Sequence, residues 1–357
     1  MLKLPPDPKI RFDSEIFSLI NEADIALYRL DGAISLLSEN HSLIYILELI
    51  EAYSSYRIDG LEISPDYLFR MFLEDNADGT KKIYNYIKSL SIGQKLLRDV
   101  SNSSHIIKSI HLELYKELEN NRKDVGEFRK TNSLIDPTNS LRSKYAPPAP
   151  VEIPGLMTEL QHFIASNISY PVIINAALVH AQFELIHPFA AGNGLTGRIL
   201  SQLHLLWKKR LSSPILQLSN QFYKKRNEYF DHLSDLETNR NLELWIKFFL
   251  SRIIQAAGET LSIISKTINL RERDYNIILE KGISSVQAFR FLDLLSRQPI
   301  VSLSFVTKEL GLNKQTSNIL ITKFLEINLL EEITGQQRNR LFAYKDYLHI
   351  FNIGAQT

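Results

Sequence analysis

The stretch HPFAAGNGLTGR, residues 187–198, constrains the fold more than any other part of this chain. The residues before it, 172–186, are almost all apolar, which is typical of a helix that is buried on every side. A second apolar segment with helical spacing follows it through residues 199–206. The sequence therefore predicts two buried helices joined by a short glycine-containing loop, with other helices packed around them.

The residue types of this loop suit the binding of a phosphate group. Gly192 and Gly194 allow the backbone to turn and to approach a ligand closely. The helix that follows begins with free backbone N–H groups and the positive end of its dipole, which favour an anion. Arg198 lies about one turn into that helix and offers a guanidinium group to phosphate. His187 is placed to transfer a proton near neutral pH.

The same stretch resembles the signature of Fic-domain proteins, H-x-F-x-[DE]-G-N-G-R-x-x-R. The resemblance includes the preceding residues 183–186, which read FELI, and covers roughly residues 40–250. It implies transfer of AMP from ATP to a hydroxyl group of a target protein. Two positions depart from the signature: Ala191 stands in place of the acid, and Leu195 in place of the first arginine.

The resemblance implies a role for each residue of the loop. His187 would remove the proton from a Ser, Thr or Tyr hydroxyl as its oxygen attacks the α-phosphate. Backbone N–H groups of the loop would hold the α- and β-phosphates, and Arg198 would stabilise the β- and γ-phosphates. Asn193 would bind a phosphate, lock the loop, or do both, and Tyr229 lies either beside the adenine or in the core. The predicted nucleotide-binding residues are Gly192, Asn193, Gly194, Leu195, Thr196, Gly197, Arg198 and Tyr229.

ATP is the implied cofactor, and the family resemblance also leads us to expect Mg²⁺. The methyl group of Ala191 cannot ligate Mg²⁺, which takes oxygen ligands. The metal would have to be held by the ATP phosphates and water, or by another side chain such as Glu184. Together with the leucine at 195, this change predicts slower transfer, because every ~1.4 kcal/mol of lost stabilisation costs a factor of ten in rate.

A second motif precedes the loop in the chain. Ser55, Asp59 and Gly60 resemble the inhibitory motif of Fic proteins, [ST]-x-x-x-E-[GN], with aspartate in place of glutamate. In the family, the acid of this motif pairs with the second arginine of the signature, here Arg198, and obstructs productive binding of ATP. Without the signature, the same pattern would be an ordinary acidic helix end before a glycine.

Residues 126–154 form a proline-containing stretch without helical spacing, which begins with Gly126 and Arg129. In the family, such a Gly-x-x-Arg leads into a β-hairpin flap that pairs with the backbone of the target protein. Strand addition of this kind captures extended segments. The alternative is a plain connecting loop. The predicted flap strand consists of Thr131, Asn132, Ser133, Leu134, Ile135 and Asp136.

The fold class predicted is mainly α: a Fic-type helical bundle with a small β-hairpin flap and a C-terminal winged helix–turn–helix domain. The predicted domains are an N-terminal helical region (1–105), the Fic core (106–255), a helical linker (256–283) and the winged helix–turn–helix (284–357). Helices are expected over 14–53 with a possible break at Gly32, and over 67–73, 81–97, 105–119, 156–166, 172–186, 219–236 and 242–268.

The C-terminal region is predicted to contain helices 284–295, 301–310 and 313–327, followed by two strands within 329–344. This order matches a winged helix–turn–helix, with Gly311 in the turn and Arg338 and Arg340 at the wing tip. Such a domain either reads a DNA major groove with its third helix or makes protein contacts.

Composition narrows the functional classes. The formal net charge is +1, so the overall charge does not indicate binding to nucleic acid or membrane. The chain has no cysteine, so no disulfide framework is indicated. The start of the chain lacks the apolar run of a signal peptide, and no membrane contact is expected, which favours the cytoplasm. We expect an autoinhibited protein adenylyltransferase; the alternatives are a degenerate scaffold that binds nucleotide or DNA, and a related phosphate-group transfer or removal of AMP.

Overall fold

The structure is a computed structural model that describes residues 2–7, 9–35, 41–61, 67–70, 73, 78–97, 103–118, 124–132, 146–166, 170–238 and 241–351. Within these residues the chain is predominantly helical. The helices are α1 (Ser14–Ser35), α2 (His41–Ile58), α3 (Tyr67–Arg70), α4 (Asp78–Leu96), α5 (Ser103–Leu114), α6 (Ile153–Ala165), α7 (Val172–Ile186), α8 (Asn193–Trp207), α9 (Leu218–Lys224), α10 (Arg226–Thr238), α11 (Leu242–Glu280), α12 (Val286–Arg297), α13 (Leu303–Leu310), α14 (Lys314–Glu326) and α15 (Lys345–Ile350).

Three short strands complete the described structure: β1 (Ile300–Ser302), β2 (Glu331–Glu332) and β3 (Leu341–Ala343). They form one antiparallel sheet in the order β1-β3-β2. In the part of the chain that is described, no helix is long and apolar enough to cross a membrane.

The chain forms two compact units. The first contains Met1–Ser38, Leu47–Leu61 and Lys81–Thr260, and the second contains Glu39–Ile46, Glu62–Thr80 and Leu261–Thr357. These units differ from the predicted division at residues 105, 255 and 283, because parts of the N-terminal half pack with the C-terminal region. Sequence order alone does not show such packing.

The first unit is built around α7 and α8, the two helices predicted to be buried. Every residue of α7 from Ile173 onward is buried, as is every residue of α8 up to Leu205. The backbone of α8 at Gly197 lies directly against side chains of α7, since a Cβ there would come within 2.6 Å of Glu184 Oε1 and 3.0 Å of Phe183 Cδ1. The indole N–H of Trp245 donates to the carbonyl oxygen of Ala177 at 2.9 Å, which ties α11 to this pair.

Several helix boundaries in the first unit differ from the sequence prediction, and two of them have a local physical reason. Helix α1 passes through Gly32, because a helical glycine costs only ~1 kcal/mol and Leu30 and Ile34 are buried on either side of it. The predicted helix 219–236 is divided into α9 and α10 at Lys225, whose φ is −119° and ψ is 38°. The guanidinium Nε of Arg226 donates to the carbonyl oxygen of Ile58 at 2.8 Å, so a contact with α2 accompanies the break.

The second unit contains the three helices predicted at the C-terminus and the small sheet. The starts of α12, α13 and α14 are capped by Ser285, Ser302 and Asn313, whose side chains accept backbone N–H groups. Gly311, with φ +65°, ends α13 as predicted.

Two features of the second unit were not predicted. Residues Ile300–Ser302 form β1 instead of the start of α13, because β-branched Ile300 and Val301 pair with Ala343 and Phe342 across the sheet. Helix α15 was also not predicted, and it is held through Tyr347, whose hydroxyl donates to the carbonyl oxygen of Ser296 at 2.9 Å.

Candidate functional site

The loop between α7 and α8 has a fixed backbone. His187 ends α7 in the left-handed conformation, with φ 49° and ψ 58°, and Gly192 precedes α8 with φ 69°. Asn193 closes the loop with both atoms of its amide: Oδ1 accepts from Phe189 N at 2.8 Å, and Nδ2 donates to Phe189 O at 2.9 Å. Of the two roles predicted for Asn193, the structure shows the second, in which its side chain holds the loop closed.

His111 of α5 supports the same loop. Its Nδ1 accepts from the backbone N–H of Gly126 at 2.9 Å, so its Nε2 carries the proton and donates to Ala191 O at 3.0 Å. Its ring also stacks on Phe189, with 3.8 Å between the ring centroids. No motif in the sequence identifies this histidine, because its partners come from two distant segments.

Arg198 lies beneath the loop and contacts the predicted inhibitory motif. Its Nε donates to Ser55 Oγ at 2.7 Å, and its Nη2 donates to Ser55 O at 2.9 Å and to Asp59 Oδ2 at 2.8 Å. The Arg198 side chain is 1% exposed, whereas that of Asp59 is 26% exposed. Burial alone would lower the pKa of Arg198, but nearby negative charge, that of Asp59 foremost, raises the pKa above its ordinary value.

The Asp59–Arg198 pair lies directly against the first turn of α8. A Cβ built on Gly194 would come within 2.7 Å of Arg198 Nη1 and 3.0 Å of Asp59 Oδ1. The pair therefore occupies the space beside the helix terminus at which an anion would be stabilised. Gly60 follows with φ +95°, a conformation that favours glycine, and α2 ends just before it.

Helix α2, which carries Ser55 close to its C-terminus, is fixed to the rest of the first unit by polar contacts. The buried carboxylate of Glu51 accepts hydrogen bonds from the N–H and the hydroxyl of Ser219, the latter at 2.5 Å. Gln217 Nε2 donates to Leu47 O at 2.9 Å, and Arg57 Nη2 donates to the Tyr223 hydroxyl at 2.6 Å. These contacts hold the helix at the position from which Asp59 reaches Arg198.

Arg129 is a site residue that the sequence analysis did not assign. Its side chain is buried, and it donates to three carbonyl oxygens: from Nε to His187 at 2.8 Å, from Nη1 to Thr131 at 3.1 Å and from Nη2 to Pro148 at 2.6 Å. The only signal in the sequence was its place in the Gly-x-x-Arg pattern. One guanidinium group thus joins the backbone of His187 to both sides of the predicted flap segment.

The predicted flap is described only in part. Thr131 and Asn132 lie outside any helix or strand, and Ser133, Leu134, Ile135 and Asp136 lie outside the described residues. Arg129 contacts the backbone on both sides of the residues that are not described, at Thr131 before them and at Pro148 after them.

Tyr229 lies in the core of the first unit, which is one of its two predicted locations. It is 0% exposed, and its hydroxyl lies 2.9 Å from His180 Nε2. Burial lowers the pKa of His180 to about 3, so this ring is neutral. The structure therefore shows Tyr229 as a core tyrosine, and its place beside the adenine stays a prediction.

The remaining predicted nucleotide-binding residues, Leu195, Thr196 and Gly197, are all buried in the first turns of α8. The side chains of Leu195 and Thr196 are buried, Gly197 has none, and Thr196 Oγ1 donates to Gly192 O at 2.9 Å. Any contact they make with a ligand would come from their backbone.

The residues around the loop do not fit a bound Mg²⁺. Among the residues that the structure describes, no group of three or more His, Cys, Asp or Glu side chains could hold a metal ion. Ala191 offers only a methyl group, and buried Glu184 turns Oε1 toward Gly197 and adds to the negative charge around Arg198.

These observations define a helical protein built around a glycine loop between two buried helices, with a buried arginine beside the loop. The Fic/DOC family matches residues 101–205, and the N-terminal region of that family matches residues 17–95. The chain belongs to the Fic/DOC family and is a Fic-domain protein.

Individual relatives of this chain share 30% or less of their aligned residues with it in the two cases that follow. A probable protein adenylyltransferase from Aquifex aeolicus is 24% identical over 189 residues, which are 52% of this chain and 54% of that protein. A protein adenylyltransferase Fic from Drosophila grimshawi is 30% identical over 126 residues, which are 34% of this chain and 23% of that protein. The match thus spans about half or less of each relative's length.

One solved structure resembles this fold over almost the whole length of both chains. A crystal structure of a Fic family protein from Desulfovibrio desulfuricans G20 aligns with a TM-score of 0.58 at 17% identity, covering 94% of this chain and 97% of that one. At this identity the similarity concerns the fold alone.

Proposed function

We propose that this Fic-domain protein transfers AMP from ATP to a Ser, Thr or Tyr hydroxyl of a target protein, and that Asp59 restrains the reaction. The observation that carries the proposal is the contact of Arg198 with Ser55 and Asp59 beside the glycine loop. It joins the predicted phosphate ligand to the predicted inhibitory motif. The relatives named protein adenylyltransferase support the same reaction class.

His187 acts as the general base in this proposal. It takes the proton of the target hydroxyl, whose oxygen bonds to the α-phosphorus while the bond from that phosphorus to the bridging oxygen breaks, and pyrophosphate leaves. The left-handed backbone of His187 and the hydrogen bond from Arg129 Nε to its carbonyl oxygen support this role, because both fix the backbone that carries the ring.

The first turn of α8 binds the ATP phosphates through the backbone N–H groups at Gly192, Asn193 and Gly194, with Arg198 on the β- and γ-phosphates. The helix dipole favours the same charges. Ala191 and Leu195 supply no charged group, so transfer is slower than a complete signature would allow.

Asp59 restrains the reaction by engaging the arginine that the phosphates need. Arg198 pairs its charge with Asp59 and donates from Nε and Nη2 to Ser55, so ATP has to displace the carboxylate to gain the guanidinium group. The buried contacts of Glu51 with Ser219 keep α2 in place. When ATP binds, the side chain of Asp59 therefore moves away from Arg198 while the helix stays where it is.

The experiment is mass spectrometry of the full chain incubated with ATP and lysate, with Mg²⁺ and Mn²⁺ tested separately. We expect Asp59→Gly to add AMP to itself or to a partner faster than the wild type, and Asp59→Gly/His187→Ala to add none. Asp59→Gly combined with His105→Ala, a change at an exposed histidine of α5, is the control and should retain transfer. A clean negative for Asp59→Gly with both metals rejects the proposal.

A second candidate function is that of a regulator that binds nucleotide or DNA without transfer. Two features favour it: the missing acid and arginine of the signature, and the C-terminal region. We propose that the described residues from 284 onward form a winged helix–turn–helix. The succession of α12, α13 and α14 with the sheet order β1-β3-β2 supports this assignment. Absence of transfer together with DNA binding would favour this second function.

A further inference from the structure

The second unit contains a cleft of about 1170 Å³ between α3, α13, the start of α14 and the β2–β3 connection. Its charged lining residues are all basic, and no acidic residue lines it among those described. Its five cations are Arg70, Lys308, Lys314, Arg338 and Arg340. A cleft lined by one sign of charge attracts a ligand of the opposite sign, here a polyanion.

One of these cations, Arg70, comes from a region far from the others in sequence. It belongs to α3, whose Leu68 and Phe69 are fully buried. Gln298 Nε2 donates to Phe69 O at 2.6 Å and to Ile300 O at 2.8 Å, which fixes α3 beside β1. The fold thus adds an N-terminal cation to a C-terminal surface.

Helix α14 presents a polar face next to this cleft. Lys314, Asn318 and Thr322 follow one another at four-residue spacing, and all three are exposed. The opposite face is buried through Leu320, Ile321 and Phe324. An exposed helix with amide and hydroxyl groups flanked by cations suits the major groove of B-form DNA, which is wide enough for a helix and displays donors and acceptors.

We infer that this cleft binds duplex DNA, with α14 in the major groove and Arg70, Lys308, Arg338 and Arg340 on the adjacent phosphates. Duplex RNA fits poorly, because its major groove is too deep and narrow for side chains to read. An acidic protein segment would match the charge but would not need the polar face of α14. The inference rests on the proposed winged helix–turn–helix and is independent of AMP transfer.

The test uses the full chain and a fluorescent, mixed-sequence DNA duplex of about 25 base pairs, at about 50 to 200 mM salt. Binding should weaken with salt, with a slope of log K against log salt of about −4 for four phosphate contacts. Arg70→Ala should weaken binding about three- to tenfold and reduce the magnitude of the slope by about one. Lys308→Ala, at an exposed position of α13, should do the same.

Arg290→Ala is the matched control, because it removes an exposed arginine of α12 that does not line the cleft. It should bind as the wild type does, and so should His187→Ala, which separates this test from that of AMP transfer. The inference is overturned if the wild type shows no salt-dependent binding, or if Lys308→Ala leaves the slope unchanged. It is also overturned if duplex RNA or polyglutamate competes as well as unlabelled DNA.

Discussion

Asp59 Oδ2 accepts a hydrogen bond of 2.8 Å from Arg198 Nη2, although the two residues are 139 positions apart in the chain. The contact places the end of α2 against the first turn of α8, where Gly194 leaves room for both side chains. Because Arg198 is 1% exposed, its charge depends on Asp59 and on the two hydrogen bonds to Ser55. The geometry thus links the helix terminus that is predicted to bind phosphate to an acid from a separate segment.

Gly194→Ala tests how closely this pair lies against α8. The new Cβ would come within 2.7 Å of Arg198 Nη1, whose side chain is held by Ser55 and Asp59 and has little room to move. We expect a loss of about 1–3 kcal/mol in the free energy of unfolding, measured by urea denaturation. Gly155→Ala in α6 meets no atom within 4 Å and should instead stabilise by about 0.5–1 kcal/mol. Equal effects of the two changes would contradict the close contact.

Arg129→Lys tests the clamp at His187. A lysine ammonium cannot reproduce the planar set of three N–H donors that the guanidinium group offers to the carbonyl oxygens of His187, Thr131 and Pro148. We expect a loss of about 2–4 kcal/mol in the free energy of unfolding, because buried acceptors lose their donors. Lys130→Ala, at the exposed neighbouring position, should stay within about 0.5 kcal/mol of the wild type. Thermal and urea unfolding of both variants decide the matter, and a stable Arg129→Lys protein would refute the clamp.

Glu51 should make the stability of the first unit depend on pH. Burial raises the pKa of Glu51 from 4.5 to about 7, despite its hydrogen bonds from Ser219. Because the folded state binds this proton more tightly, the contribution is fully present below pH 4.5 and is lost as pH rises through about 7.

Glu51→Gln removes this titration while keeping an oxygen for Ser219. Between pH 4.5 and pH 8, the wild type should lose on the order of 3 kcal/mol of unfolding free energy relative to Glu51→Gln. Glu48, whose pKa burial also raises to about 7, is present in both proteins and cancels in the difference. A difference that stays constant with pH would rule out Glu51 as the titrating group.

Local sequence was sufficient for much of the fold. The apolar run 172–186 predicts a buried helix, and α7 is one. The caps at Ser285 and Asn313 lie at helix starts that follow from residue type. These features depend on interactions within a few residues, which a sequence displays directly.

The parts that were missed depend on distant partners. The pairing of Val301 with Phe342 and of Ser302 with Leu341 makes a strand where helical spacing suggested a helix. The three acceptors of Arg129 come from segments up to 58 residues away. For the same reason Arg70 could not be placed beside Arg338 and Arg340, since only packing brings α3 to that cleft.

The central claim is that Asp59 withholds Arg198 from the ATP phosphates. The direct measurement is the dissociation constant for ATP, by isothermal titration calorimetry, of the wild type, Asp59→Ala and Asp231→Ala. Asp231 is an exposed acid on α10, so its replacement changes the net charge equally. We expect Asp59→Ala to bind ATP about tenfold or more tightly than the wild type, because one charge-assisted hydrogen bond contributes about 1.5–3 kcal/mol. Asp231→Ala should bind as the wild type does, and equal affinities in all three proteins would contradict the claim.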